Sequence, residues 1–71
     1  MMTTNMTIIT DRNEVARYIA TGEDVYFLFT NQEDGSPCLG NAQNISGQYL
    51  FDHLDKVANG DEVAVLIRRN Y

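Results

Sequence analysis

Apolar positions along this chain follow two different spacings. In two segments, at about 12–21 and 46–59, they recur every three to four residues, which predicts amphipathic helices. Val15, Tyr18 and Ile19 form the apolar stripe of the first helix, and Leu50, Leu54 and Val57 form that of the second. Three short runs, 6–10, 25–30 and 62–68, are rich in β-branched and aromatic residues and predict strands.

Polar residues and glycines mark where the two helices begin and end. Asp11, with Glu14 three residues later, has the pattern of a capping box, and Ser46 is the expected N-cap of the second helix. Gly22 and Gly60 are expected to end the helices, because glycine adopts the left-handed backbone conformation at low steric cost.

A short phrase occurs twice, 38 residues apart: Ala-Thr-Gly-Glu-Asp-Val at 20–25 and Ala-Asn-Gly-Asp-Glu-Val at 58–63. Each copy follows a predicted helix and precedes a predicted strand. The chain is therefore expected to form the same connection from helix to strand twice, and we call this connection the corner.

The segment between the second strand and the second helix is the most ambiguous. Asp34-Gly35 indicates a tight hairpin turn, in which both central residues take positive φ, followed by a returning strand over 37–43. Pro37 and Gly40 are poor strand residues, so an ordered loop is the alternative.

The resulting order is strand, helix, strand, strand, helix, strand. This order predicts an α+β fold of the ferredoxin-like βαββαβ type, an antiparallel sheet with two helices packed on one face. The length of 71 residues predicts a single domain over 1–71, and residues 1–5 are expected to be disordered.

The repeat also predicts which faces of the strands are buried. A shift of 38 aligns Val25, Phe27 and Phe29 with Val63, Val65 and Ile67, and these positions are assigned to the helix-covered core. The alternate positions, among them Tyr26, Leu28 and Leu66, are then expected on the open face of the sheet. A contiguous apolar patch there would bind a protein partner or a second copy of the chain.

Acidic residues dominate the charge of the chain. Ten acidic residues against five basic ones give a net charge of −5, which disfavours direct binding of nucleic acid and favours a partner with a basic surface. In the predicted topology five carboxylates gather at one end of the domain, where they would mimic phosphates: Asp11, Glu33, Asp34, Asp61 and Glu62. The alternative is that these acids only keep loop ends soluble.

The chain lacks the residue combinations of common active sites and cofactor sites. One cysteine and one histidine exclude an internal disulfide and a zinc site of the usual ligands. His53 is predicted on the helix surface, Cys38 has no predicted catalytic partner, and no phosphate-binding glycine motif occurs. We therefore predict no enzymatic activity, no metal and no cofactor. Without an apolar run of membrane-spanning length or a signal peptide, a cytoplasmic location is expected.

These observations favour a small acidic protein-interaction module that regulates or inhibits another macromolecule, in the manner of phage or plasmid accessory proteins. The alternative is a dimeric regulatory domain that binds a small metabolite near residues 41–46.

Overall fold

The structure, a computed structural model, describes residues 3–70. It has the predicted α+β composition, a four-stranded antiparallel sheet with two α-helices. The strands are β1 (Thr3–Ile9), β2 (Asp24–Thr30), β3 (Pro37–Asn41) and β4 (Val63–Asn70), and the helices are α1 (Arg12–Ala20) and α2 (Gly47–Asn59). A short 3₁₀ turn, Ala42–Asn44, lies between β3 and α2.

The sheet starts earlier in the chain than predicted. The segment 3–5, expected to be disordered, belongs to β1 and pairs with the end of β4. Met1 and Met2, the rest of that predicted disordered segment, lie outside the described residues. The segment 37–41 forms β3, so the strand prediction is confirmed there and the alternative of an ordered loop is wrong.

The strand order is β1-β4-β2-β3, with every neighbouring pair antiparallel. The central strands are therefore β4 and β2, whereas a ferredoxin-like sheet has its first and third strands at the centre. The ferredoxin-like order is thus not confirmed. Both orders let each helix connect two parallel strands that have one strand between them, so the order of elements along the chain does not distinguish them.

The two helix ends have the same geometry, as the repeated phrase predicts. Gly22 and Gly60 have φ of 80° and 82°. The amide that follows each glycine, in Glu23 and in Asp61, donates to a carbonyl five residues earlier, at 3.0 Å and 2.8 Å. This is the Schellman arrangement, which satisfies carbonyl groups that a helix leaves unpaired at its end.

The helix starts follow the prediction only in part. The Asp11 carboxylate accepts a hydrogen bond from the Asn13 amide at 2.8 Å and caps α1. Glu14 does not complete a capping box in this way and instead lies 3.7 Å from Arg17. Ser46 occupies the N-cap of α2, but its side chain makes no capping hydrogen bond.

The hairpin between β2 and β3 is longer than the two-residue turn that Asp34-Gly35 predicted. Only Gly35 has positive φ, 75°, and Asp34 does not. The loop is closed by hydrogen bonds from the Asn31 amide to the Ser36 carbonyl and from the Gly35 amide to the Asn31 carbonyl, both 2.8 Å. The Asn31 side chain accepts from the Glu33 amide and thereby supports this wider loop.

The core lies between the two helices and one face of the sheet. Its buried residues are Ile9, Val15, Val25, Phe27, Ala42, Leu54, Val57, Ala64 and Leu66. Tyr18, Ile19 and Leu50 pack against this cluster, so the predicted apolar stripes of both helices are confirmed.

The predicted faces of β4 are inverted. Val25 lies opposite Leu66 and Phe27 lies opposite Ala64, so these four residues share the helix-covered face. Val63, Val65 and Ile67, predicted for the core, project from the other face. The prediction failed because it extended the 38-residue shift beyond the corner. Glu62 turns inward directly after the corner, and a displacement of one residue reverses every side chain that follows.

Candidate functional site

The open face of the sheet is apolar and carries almost no charge. Within residues 3–70 it presents eight apolar side chains from all four strands, whose shared face follows from the cross-strand pairing: Met6, Ile8, Tyr26, Leu28, Leu39, Val63, Val65 and Ile67. The charged residues on this face are Asp24 and Arg69, which form an ion pair at one end, 3.0 Å apart.

Exposure is greatest towards the two edge strands. Met6 and Ile8 on β1 are 64% and 66% exposed, and Leu39 on β3 is 55% exposed. Val65, on the central strand β4, is only 5% exposed, because Ile8 and Tyr26 flank it on the neighbouring strands. The helices pack on the opposite face, so the described residues leave this one uncovered.

The open-face residues predicted from the sequence are partly placed as expected. Tyr26 and Leu28 lie on this face, and Leu28 is 36% exposed. Leu66 does not, since it is 3% exposed within the core, and its assignment to a partner surface is wrong.

The strand directions bring the predicted acidic segments to one end of the sheet. Ile9 pairs with Ala64, Leu28 with Val63 and Thr30 with Pro37. The segments that follow β1 and β2 and the segment that precedes β4 therefore leave the sheet at the same end. We call this end, with the four exposed carboxylates Asp11, Glu33, Asp34 and Asp61, the acidic end.

The four exposed carboxylates differ in their surroundings. Asp11 caps α1, as described above, whereas Glu33 and Asp61 project from turns. Asp34 accepts hydrogen bonds from the Ser36 hydroxyl at 2.6 Å and the Ser36 amide at 2.9 Å, and these bonds lower the pKa of its carboxyl group below the ordinary value. Asp34 therefore stays ionised to a lower pH than a free aspartate.

Glu62 is not part of the accessible acidic surface. Its side chain is only 5% exposed, and Oε1 lies 2.7 Å from His53 Nδ1 while Oε2 lies 3.7 Å from Lys56 Nζ. The expected place of Glu62 among the exposed carboxylates of this end is therefore wrong, because its side chain is buried beside His53 and Lys56.

His53 is also more buried than its predicted position on the helix surface. The side chain is 20% exposed, and the ring stacks on Phe27 with centroids 4.9 Å apart. In this geometry a neutral imidazole donates its Nδ1–H to the Glu62 carboxylate. The other ring nitrogen, Nε2, takes no part in that hydrogen bond. A sequence signal for this was present: position 53 completes the helical spacing of Leu50, Leu54 and Val57.

His53 and Cys38 line the same open pocket, of about 720 Å³, at the acidic end. Phe29, Asn31, Lys56 and Glu62 contribute to its walls. No hydrogen bond joins the Cys38 thiol to the imidazole within the described residues. Among residues 3–70, no group of three histidine, cysteine or acidic side chains is placed to hold a metal ion.

The region predicted to bind a metabolite, around 41–46, uses several of its polar groups within the fold. The Asn41 side chain accepts from the Gln43 amide at 2.9 Å. The Gln43 side chain in turn donates to the Ile19 carbonyl at 3.0 Å and thereby ties the 3₁₀ turn to the end of α1.

None of the described helices has the length and apolar character needed to cross a membrane. Comparison of the chain with protein-family models, with curated proteins and with solved structures found no match.

Proposed function

We propose that the chain is a protein-interaction module that binds a partner protein through the open face of its sheet. The observation that carries this proposal is the set of eight apolar side chains on a face without charges at its centre. Contiguous exposed apolar side chains on one face often mark contact surfaces.

Covering this face would contribute favourable hydrophobic energy to a contact. Met6, Ile8 and Leu39 are each more than half exposed. Full burial of such a side chain contributes roughly 1.5–3 kcal/mol relative to full exposure, so these three together would contribute several kcal/mol. The Asp24–Arg69 pair and the polar ends of the strands would form the rim of such a contact.

The acidic end favours a partner whose surface near the contact is basic. Its four exposed carboxylates would attract such a surface during diffusional encounter and repel nucleic acid. A module of this kind would regulate or inhibit its partner by covering the surface that it binds.

Capture of partners from the cells that produce the protein tests this proposal with two matched variants. Leu39→Lys places a charge on the open face, at a side chain that is 55% exposed. Phe51→Lys places the same charge on α2, at a side chain that is 52% exposed. We expect the first variant to lose the captured partner and the second to retain it.

Circular dichroism and urea unfolding of both variants check that each is folded. Equal retention of the partner by the two variants would contradict binding through the open face, and so would the absence of any partner of the wild-type protein.

A further inference from the structure

The outer edge of β1 is unusually accessible. In the described part of the chain β1 pairs with β4 on one side, and nothing pairs with its other side. All residues from 4 to 8 are exposed, including Asn5 and Thr7 on the helix-covered side of the sheet. The backbone hydrogen-bonding groups along this edge are therefore free to pair with another strand.

The edge strand at the opposite side of the sheet is protected by its sequence. β3 has only five residues and begins with Pro37, which has no amide hydrogen to donate. β1 is seven residues long, Thr-Thr-Asn-Met-Thr-Ile-Ile, and contains no proline, glycine or charged residue. Proteins normally block an exposed edge with such residues, and β1 has none of them.

We propose that β1 pairs with β1 of a second copy of this chain, antiparallel and about a two-fold axis, so that two four-stranded sheets join into one eight-stranded sheet. A strand beside its own copy in antiparallel orientation is self-complementary. With Met6 at the two-fold axis, Asn5 of one copy lies opposite Thr7 of the other, and Thr4 lies opposite Ile8.

The charges at the two ends of the molecule favour this antiparallel arrangement. Opposite the acidic end, Arg68 lies 3.6 Å from Glu23 and Arg69 lies 3.0 Å from Asp24, so this arginine end is formally neutral. Antiparallel pairing places the acidic end of one copy beside the arginine end of the other. A parallel arrangement would bring the two acidic ends together and would be opposed by repulsion.

The proposed dimer leaves the open faces of both copies free and on the same side of the joined sheet. It uses the outer edge of β1 and shares Met6 and Ile8 with the open face of the proposed function, and each proposal stands if the other fails.

The mass in solution, measured by sedimentation or light scattering, tests this dimer in the full chain. We expect twice the chain mass of 8.0 kDa for the wild-type protein at micromolar concentration. Met6→Lys places the two substituted lysines of the dimer opposite each other at the axis. The double change Asn5→Lys with Thr7→Lys creates two such pairs of like charges on the helix-covered face, because Asn5 of each copy lies opposite Thr7 of the other. Each change should raise the dissociation constant of the dimer by about tenfold or more.

Leu39→Lys is the matched control, because Leu39 lies on the same face as Met6, with comparable exposure, but on the opposite edge strand. This variant should remain dimeric. A monomeric wild-type protein at all concentrations overturns the proposal. Dissociation by Leu39→Lys also overturns it, because that result indicates that two open faces stack on each other instead.

Hydrogen exchange provides a second readout that does not depend on a substitution. In the edge-paired dimer the amides of residues 4–8 on the outer side of β1 become slow to exchange as the concentration rises. Fast exchange of these amides in a protein that sediments as a dimer would contradict β1 pairing.

Discussion

At the scale of single residues, the most informative group is the carboxylate of Glu62. Ionised side chains are rarely this buried, and Glu62 is accommodated because His53 and Lys56 lie at 2.7 Å and 3.7 Å. The stacking of His53 on Phe27 then connects this polar group to the largest buried side chain of the core. Two residues whose types suggest surface positions are thus part of the packing at the acidic end.

Replacement of Glu62 should destabilise the protein, whereas replacement of its neighbour Asp61 should not. Glu62→Ala leaves the half-buried imidazole of His53 without its partner, and we expect a loss of about 1.5–3 kcal/mol in the free energy of unfolding. Asp61→Ala removes an exposed side chain and should change this free energy by at most about 0.5 kcal/mol. Urea unfolding of both variants measures the difference, and equal effects would show that the pair contributes nothing.

At the scale of elements, the repeated corner and the strands that follow it behave differently. The corner is local, since it depends on a glycine with positive φ and on hydrogen bonds within six residues, and it forms alike in both copies. The face that a strand buries depends on the strands with which it pairs and on the helices that pack against the sheet. Glu62 turns inward while its counterpart Asp24 lies on the open face, and β4 is therefore displaced by one residue relative to β2.

Truncation of adjacent residues on β4 tests the corrected faces. Leu66→Ala creates a cavity in the core and should lower the free energy of unfolding by about 2–5 kcal/mol. Ile67→Ala removes a half-buried side chain from the open face, for which we expect about 1 kcal/mol. Chemical denaturation of the two variants provides the comparison. A larger loss for Ile67→Ala would mean that β4 has the register predicted from the repeat.

At the scale of the whole molecule, charge is separated between the two ends of the sheet. The acidic end carries four exposed carboxylates, and the arginine end pairs its two arginines with Glu23 and Asp24. Four of the ten acidic residues of the chain are therefore exposed together where a basic partner would meet them first. This separation would orient an encounter without requiring that the acids make the final contact.

Neutralisation of acids at the acidic end and of acids elsewhere should affect partner binding unequally. Glu33→Gln with Asp34→Asn should lower the association rate with a captured basic partner several-fold at about 50 mM salt, and the effect should fade at about 500 mM because salt screens exposed charges. Glu14→Gln with Glu23→Gln removes the same charge from carboxylates that lie near Arg17 and Arg68 and outside the open face, and is the control. Stopped-flow or surface-binding kinetics measure both. Equal rates for the two double variants would remove the role proposed for the acidic end.

The features that the sequence alone determined are those set by neighbours along the chain. Helical spacing identified the apolar stripes, Asp11 and the two glycines marked helix ends, and β-favouring runs located the strands. Pairing between distant segments decided the rest: the order β1-β4-β2-β3, the face of Leu66 and the burial of Glu62 and His53. In an apolar strand such as 63–67 both sets of alternate positions are apolar, so the sequence does not show which set faces the core. Only the packing of helices on one face separates core from surface.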